Sequence, residues 1–356
     1  MIFKSTSTHP AGSLVRTREV PTPSDTGFGA TETFRRLIGR PGAGIFLFLV
    51  CFLPILSLFA PQMLQEGNLA GILNQMVFIL IPTLGMTIVI ISGGIDLSVG
   101  SVIGLSGGVA AFLLTVGVPM PVAILLAIIS GAMIGAINGL VITRLKVPDF
   151  VATLAMMGVA RGILYVWTNG IPFRDYMGDA YYIIGGLRMI VGKLTLPVFV
   201  ALALLLILTF LLRRTHLGAH FRATGSNAEA AKLSGIRPDR IKMLAYIASG
   251  ALAAVTGVML AGRLTTVHPA MGSGYELETI AAAVMGGAAL SGGRGSFWGA
   301  LVGALTLTVI QNAINILNIE STWENVIIGS IILFAVLIDR AAMALSRGGS
   351  RRNASN

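Results

Sequence analysis

An all-α integral membrane protein with about ten transmembrane helices, some of them interrupted, is the fold class this sequence predicts, and three observations carry it. Of 356 residues, 54% are hydrophobic and 11% charged, where a soluble domain carries about 25% charged residues. Ten apolar runs recur on the length scale of a bilayer core, about 30 Å. The basic residues segregate between the loops that join those runs. Cys51 is the single cysteine, so no intrachain disulfide can form.

Residues 1–42 are rich in Ser, Thr, Pro and Gly without apolar periodicity and read as a disordered cytoplasmic tail. The run 43–60 follows a basic leader too long for a signal peptide and ends without an A-x-A site, so it reads as a retained first helix. Further runs lie at 70–91, 98–117, 121–143, 149–168, 194–212, 242–262, 276–291, 296–317 and 324–339, the shortest being 276–291 and 324–339. Gly93, Gly94 and Asp96 break the chain between the second and third. Residues 43–340 thus read as one transmembrane domain, and 341–356 as a cytoplasmic tail.

Placing the N-terminal tail in the cytoplasm and alternating sides puts twenty of the 25 Lys and Arg residues inside. Only Arg174, Arg188, Lys193 and Arg263 fall outside, and Arg161 lies within a span. This asymmetry predicts that both termini face the cytoplasm. The net charge of +10 is then a topology signal beside anionic lipid, not a footprint for nucleic acid.

Lipid is as apolar as leucine, so helices associate by close packing, with small residues four apart as the usual device. Three GxxxGxxxG stripes have that form: Gly100, Gly104 and Gly108; Gly131, Gly135 and Gly139; Gly295, Gly299 and Gly303. They pack one bundle or join subunits. The chain also repeats GGxxLSxG, as GGIDLSVG at 93–100 and GGAALSGG at 286–293, and each copy opens a Gly-striped helix, the second near Ser291. Paired breaks of this kind are what repeat-built transporters place beside a translocation path. Gly93, Gly94, Ser98, Gly286, Gly287 and Ser291 are therefore candidates for its border.

Asp96 borders that path or caps the helix expected from Leu97, and the two roles are compatible. Arg161 snorkels outward or pairs with Asp96, Glu276 or Glu278. Asn138, Gln311, Asn312 and Asn315 suit a wet passage and interhelical hydrogen bonds equally. His216 and His220 stand four apart, but Arg213, Arg214 and Arg222 surround them and no acid accompanies them, which argues against a metal. Residues Gly104 to Gly107 read GLSG, as in intramembrane serine proteases, yet the only base expected on the outer side, His268, precedes Pro269. No GxxxxGK[ST] phosphate loop occurs. The chain is therefore not expected to hydrolyse ATP by that machinery itself.

The loop from Arg213 to Lys242 is too long for a simple connector. Within it Asn227 to Ser234 is helix-compatible, with Ser226 or Asn227 as N-cap and Gly235 as C-cap. A short capped helix held off the membrane suits docking better than catalysis; a helix resting on lipid is the other reading.

Glu229-Ala230-Ala231 followed by Gly235 resembles the EAA…G loop of membrane subunits of ATP-binding-cassette importers, although the family's later I-x-L-P element is missing. LGMTIVIISGGIDLSVGS (84–101), FVATLAMMGVARGILYVWTNGIP (150–172), LGAHFRATGSNAEAAKLSGI (217–236), GYELETIAAAVMGGAALSGGRGS (274–296) and QNAINILNI (311–319) together resemble the ribose, xylose, galactoside and related monosaccharide permeases. The resemblance covers roughly residues 69–340. It implies a bacterial inner-membrane subunit that works as a homodimer, with a cytoplasmic ATPase that uses ATP and Mg and a periplasmic sugar-binding protein. It implies a coupling helix in the loop 213–241, formed by Asn227, Glu229, Ala230, Ala231, Leu233, Ser234 and Gly235, and a pathway near Gly93 to Gly100 and Gly274 to Gly287. Another small hydrophilic solute (a polyol, inositol, a nucleoside or a branched-chain amino acid) or an ion-driven secondary transporter are the alternatives.

Overall fold

The computed structural model describes residues 43–174 and 178–320, with Trp323, Val326, Ile327, Gly329, Ser330 and Leu333 beyond them. The tails 1–42 and 341–356 and most of the run 324–339 lie outside the described residues. Helix α1 (Ala43–Phe59) leads through a 3₁₀ turn (Pro61–Leu64) into α2 (Glu66–Ile91), α3 (Val99–Thr115), α4 (Met120–Arg144) and α5 (Asp149–Thr168). A short α6 (Asp179–Ile184) and a two-stranded hairpin, β1 (Met189–Val191) and β2 (Leu194–Thr195), precede α7 (Leu196–Arg214). Then come α8 (His216–Ser226), α9 (Ala228–Leu233), α10 (Pro238–Leu264), α11 (Tyr275–Met285) and α12 (Phe297–Ile316).

Six of these helices, α2, α4, α5, α7, α10 and α12, are long and apolar enough to cross a membrane. The chain is therefore a helical integral membrane protein. The expected run 276–291 is not one helix: α11 has 11 residues, about 16 Å at 1.5 Å per residue, half a bilayer core. The hairpin lies in a stretch that the sequence marks as a loop, except that β2 takes the first two residues of the expected run 194–212.

Burial sorts the spans. In α2, 94% of the most apolar window is inside the protein, against 22% in α4, α5 and α7. A helix that is apolar all round belongs at the centre of a bundle, and α2, with Pro82 inside it, fills that place. Helix α10 packs along α4, α3 and α2. The glycine stripes are what let it approach: a Cβ on Gly131 would press on Gly250 O, one on Gly250 on Gly131 O, and one on Gly257 on Ile103 O. Gly299 and Gly303 of α12 meet Gly286 and Ala282 in the same way. The stripes thus pack helices of one chain. Helix α1 lies outermost, its Leu49 and Leu56 against Val309 and Ala313 of α12.

Candidate functional site

Helix α2 ends in a Schellman-type cap. Ser92 N donates to Ile88 O, Gly93 takes φ +80°, and Gly94 N reaches back to Val89 O at 3.0 Å. Helix α11 ends the same way one residue later in the repeat, with Gly287 at φ +88° and Ala288 N donating to Ala283 O at 2.9 Å. The repeated glycine pair therefore codes one backbone event twice. Beyond the caps the two copies diverge. After the first break α3 starts at Val99. After the second, Gly292 and Gly293 both take positive φ, so the helix that the repeat predicts near Ser291 begins only at Phe297, within the apolar run. Ser291 is exposed on the intervening turn.

The two breaks touch. Gly293 N donates to Ile91 O at 2.9 Å, and the last turn of α8 enters between them at Gly225. A Cβ on Gly225 would overlap Ile91 O and lie 2.7 Å from Gly293 N, and one on Gly292 would lie 3.0 Å from Gly93 Cα. Three separate stretches of backbone converge where no side chain fits. Gly225 carries no such signal in the sequence, because Ile91 and Gly293, which it meets, lie far from it in the chain.

Backbone groups left without helical partners must find others when buried in protein, and at the first break side chains of α4, α5 and α10 close around them. Asp96 is 1% exposed; its Oδ1 accepts from Ser98 N at 3.0 Å and Ser98 Oγ at 2.6 Å, and its Oδ2 from Ser249 Oγ of α10 at 2.8 Å. Asn138 Nδ2 of α4 donates to Ser98 Oγ at 2.9 Å. Asp96 thus ties the start of α3 to two other helices, and Asn138 is buried in that bracket. The helix starts at Val99 rather than Leu97, and Ser98 takes the N-cap position. The next shell is Lys242 Nζ on Asp149 Oδ2 at 3.0 Å and Gly93 O at 3.4 Å, with Tyr246 Oη and Thr153 Oγ1 both donating to Ile95 O at 3.3 Å. These residues have no signal in the sequence beyond being polar in or beside apolar runs. A double-mutant cycle of Lys242→Met and Asp149→Asn should give a coupling of about 1–3 kcal/mol in unfolding free energy, as for a partly buried charged hydrogen bond.

Beyond α8, Asn227 caps α9, its Oδ1 accepting from Ala230 N at 3.0 Å, and Gly235 at φ +83° closes it with Ile236 N on Ala231 O. Ala231 is buried, whereas Asn227, Glu229, Ala230, Ser234 and Gly235 are exposed and Leu233 is 90% exposed. Beside α9 a groove of about 850 Å³ runs to the α4–α5 turn, between Lys146, Asp149, Glu229 and Lys232.

The remaining candidates lie around the loop between α10 and α11 and on α12. Among the described residues Arg161 makes no hydrogen bond to a carboxylate, although the Glu276 carboxylate is close enough to favour its charge; its Nη1 donates to Pro269 O at 3.1 Å and Met271 O at 2.6 Å, holding the loop between α10 and α11. Loop carbonyls at a helix end lack helical partners, and a guanidinium satisfies two at once. Glu276 Oε1 accepts from Gly274 N at 3.2 Å, while Oε2 is buried against Gly100 with no hydrogen-bond partner among the described residues. Gln311 Nε2 donates to Glu278 Oε1 at 3.4 Å, and Asn312 exchanges bonds of 2.9 and 3.0 Å with Asn68. The polar candidates therefore form two groups, one at the helix breaks and one around the loop between α10 and α11.

A family model described as branched-chain amino acid transport system / permease component matches residues 68–336. The chain is 38% identical over 293 residues to the ribose import permease protein RbsC of Escherichia coli strain K12, covering 82% of this chain and 91% of that protein. It is 39% identical over 301 residues to RbsC of Bacillus subtilis, covering 85% and 93%. Against the L-arabinose ABC transporter permease protein AraH of Azospirillum brasilense it is 34% identical over 305 residues, covering 86% and 88%. No solved structure matches the chain. Paired helix breaks buried inside a bundle of membrane-crossing helices and a match across residues 68–336 agree: the chain belongs to the branched-chain amino acid transport system / permease component family, as a transport subunit.

Proposed function

We propose that this chain is the membrane subunit of an ATP-binding-cassette importer and carries a monosaccharide delivered by a periplasmic binding protein. The observation that carries the reading is identity of 34–39% over more than four fifths of the chain to permeases named for ribose and L-arabinose. The ATPase is a separate cytoplasmic partner that binds ATP and Mg, and a second copy of this chain completes the pathway. In this reading both termini lie in the cytoplasm of the bacterial inner membrane, with α8 and α9 on the cytoplasmic side and Arg161, Glu276, Glu278 and Asn312 toward the periplasm; the charge asymmetry supports this orientation.

In this reading α9 is the coupling helix. Leu233 and Glu229 seat in the ATPase, and closure of the ATPase on ATP displaces α9. Gly225 lies two residues before its N-cap, so the displacement reaches Gly93 and Gly292 without an intervening side chain. The breaks then reorient α3 and α12 about a path open first outward and then inward. Reconstituted with its ATPase and binding protein, the permease should import ribose or arabinose under ATP. Glu229→Lys combined with Gly235→Pro should uncouple it, leaving basal ATP hydrolysis but removing its stimulation by the loaded binding protein. Undiminished stimulation and uptake in that variant would show that α9 does not transmit the stroke.

A further inference from the structure

We infer that the cavity between α2, α10, α11 and α12, opposite the α9 end, is a subsite that holds one monosaccharide as it enters the permease. Its volume is about 220 Å³, below the roughly 300–1,000 Å³ of pockets for drug-sized ligands and so suited to a smaller solute. Its lining mixes the group types a polyol needs. Gln75 and Arg263 form an exposed rim, Tyr275 and Glu278 one wall, and Gln311 with the ring of Phe78 a buried floor.

Each sugar hydroxyl both donates and accepts, and planar amides and carboxylates meet adjacent hydroxyls in pairs, while an aromatic ring covers the C–H face. Gln311 and Glu278 already stand 3.4 Å apart, Nε2 to Oε1, a spacing that puts an amide and a carboxylate on neighbouring positions of one ligand. Arg263 is held in place by its bond to Gly186 O at 3.2 Å. Ionisable groups at the edge of a membrane bundle are costly to place there, which favours a function for them. The open rim fits a transit site that grips weakly.

This subsite rests on the reading of the chain as a monosaccharide importer. The test uses the whole transporter, permease with ATPase and binding protein, in proteoliposomes, and measures initial uptake of ribose, arabinose and leucine and the ATP hydrolysis stimulated by loaded binding protein. Glu278→Gln and Gln311→Leu, with Gln75→Leu on the exposed rim where folding is not at stake, should shift the ribose-to-arabinose uptake ratio by about tenfold, the size of one hydrogen bond gained or lost. Stimulated hydrolysis should persist. A ratio unchanged in all three variants, with the wild type importing sugar, overturns the subsite alone. A wild type that imports leucine and neither sugar overturns the functional reading and the subsite together.

Discussion

Gly225→Ala should stop import while leaving the permease folded and bound to its ATPase. The added methyl overlaps Ile91 O and approaches Gly293 N, so the two helix breaks must part or the end of α8 must withdraw. Overpacking of this kind costs about 1–3 kcal/mol, a tolerable fraction of a stability of about 5–15 kcal/mol. In the proposed mechanism its mechanical effect is larger, because there the contact of α8 with both breaks carries the displacement of α9 inward. Uptake should fall by at least about tenfold, as a shift of 1.4 kcal/mol between the two access states already predicts. Gly162→Ala on α5 is the control: nothing lies within 4 Å of its added Cβ, and transport should be unchanged. Normal uptake by Gly225→Ala would remove the junction from the mechanism.

The second large effect is at Asp96. Asp96→Leu leaves Ser98 N, Ser98 Oγ and Ser249 Oγ without their acceptor in a site that water does not reach. At about 1–3 kcal/mol for each orphaned group, the sum approaches the whole stability of the protein, and the expected outcome is loss of folded permease in detergent extracts. Asp96→Asn keeps one acceptor oxygen for Ser98 and turns an amide toward Ser249 Oγ, which can itself accept. It should fold with a lowered melting temperature and still import under ATP. That pair of results separates a structural bracket from a proton-carrying carboxylate, which asparagine cannot replace. A folded Asp96→Asn permease that has lost all import, with wild-type uptake that follows the proton gradient, would make the chain an ion-driven carrier.

Legibility differs from element to element for physical reasons. Caps are local: Asn227 and Gly235 stand within one helical turn of the groups they satisfy, so both ends of α9 are readable within one residue. Periodic apolar runs are local too, and the positions of α2, α4, α5, α7, α10 and α12 follow them. The repeat points to a helix opening near Ser291, whereas α12 starts at Phe297, because Gly292 and Gly293 look, as letters, like another helix-packing pair. Their positive φ accompanies the bond to Ile91 O, roughly two hundred residues away in the chain. For Arg161 the sequence offers Glu276 among three carboxylates because it displays charges, and that charge does act on it; the carbonyls of Pro269 and Met271 that hydrogen-bond it are common to every residue and carry no letter.

By itself the sequence determined that the chain lives in a bilayer, where its charges lie along the chain, where its helices break and where α9 is capped, since composition, hydropathy and capping act over a few residues. Tertiary structure alone decided that the two breaks share one contact point at Gly225, that Asp96 is bracketed by Ser249 and Asn138, and that Gln75, Arg263, Tyr275, Glu278 and Gln311 line one cavity. Those facts depend on close approach between helices far apart in the chain. Small residues permit such approaches, but only the packing of the whole bundle selects which of them occur.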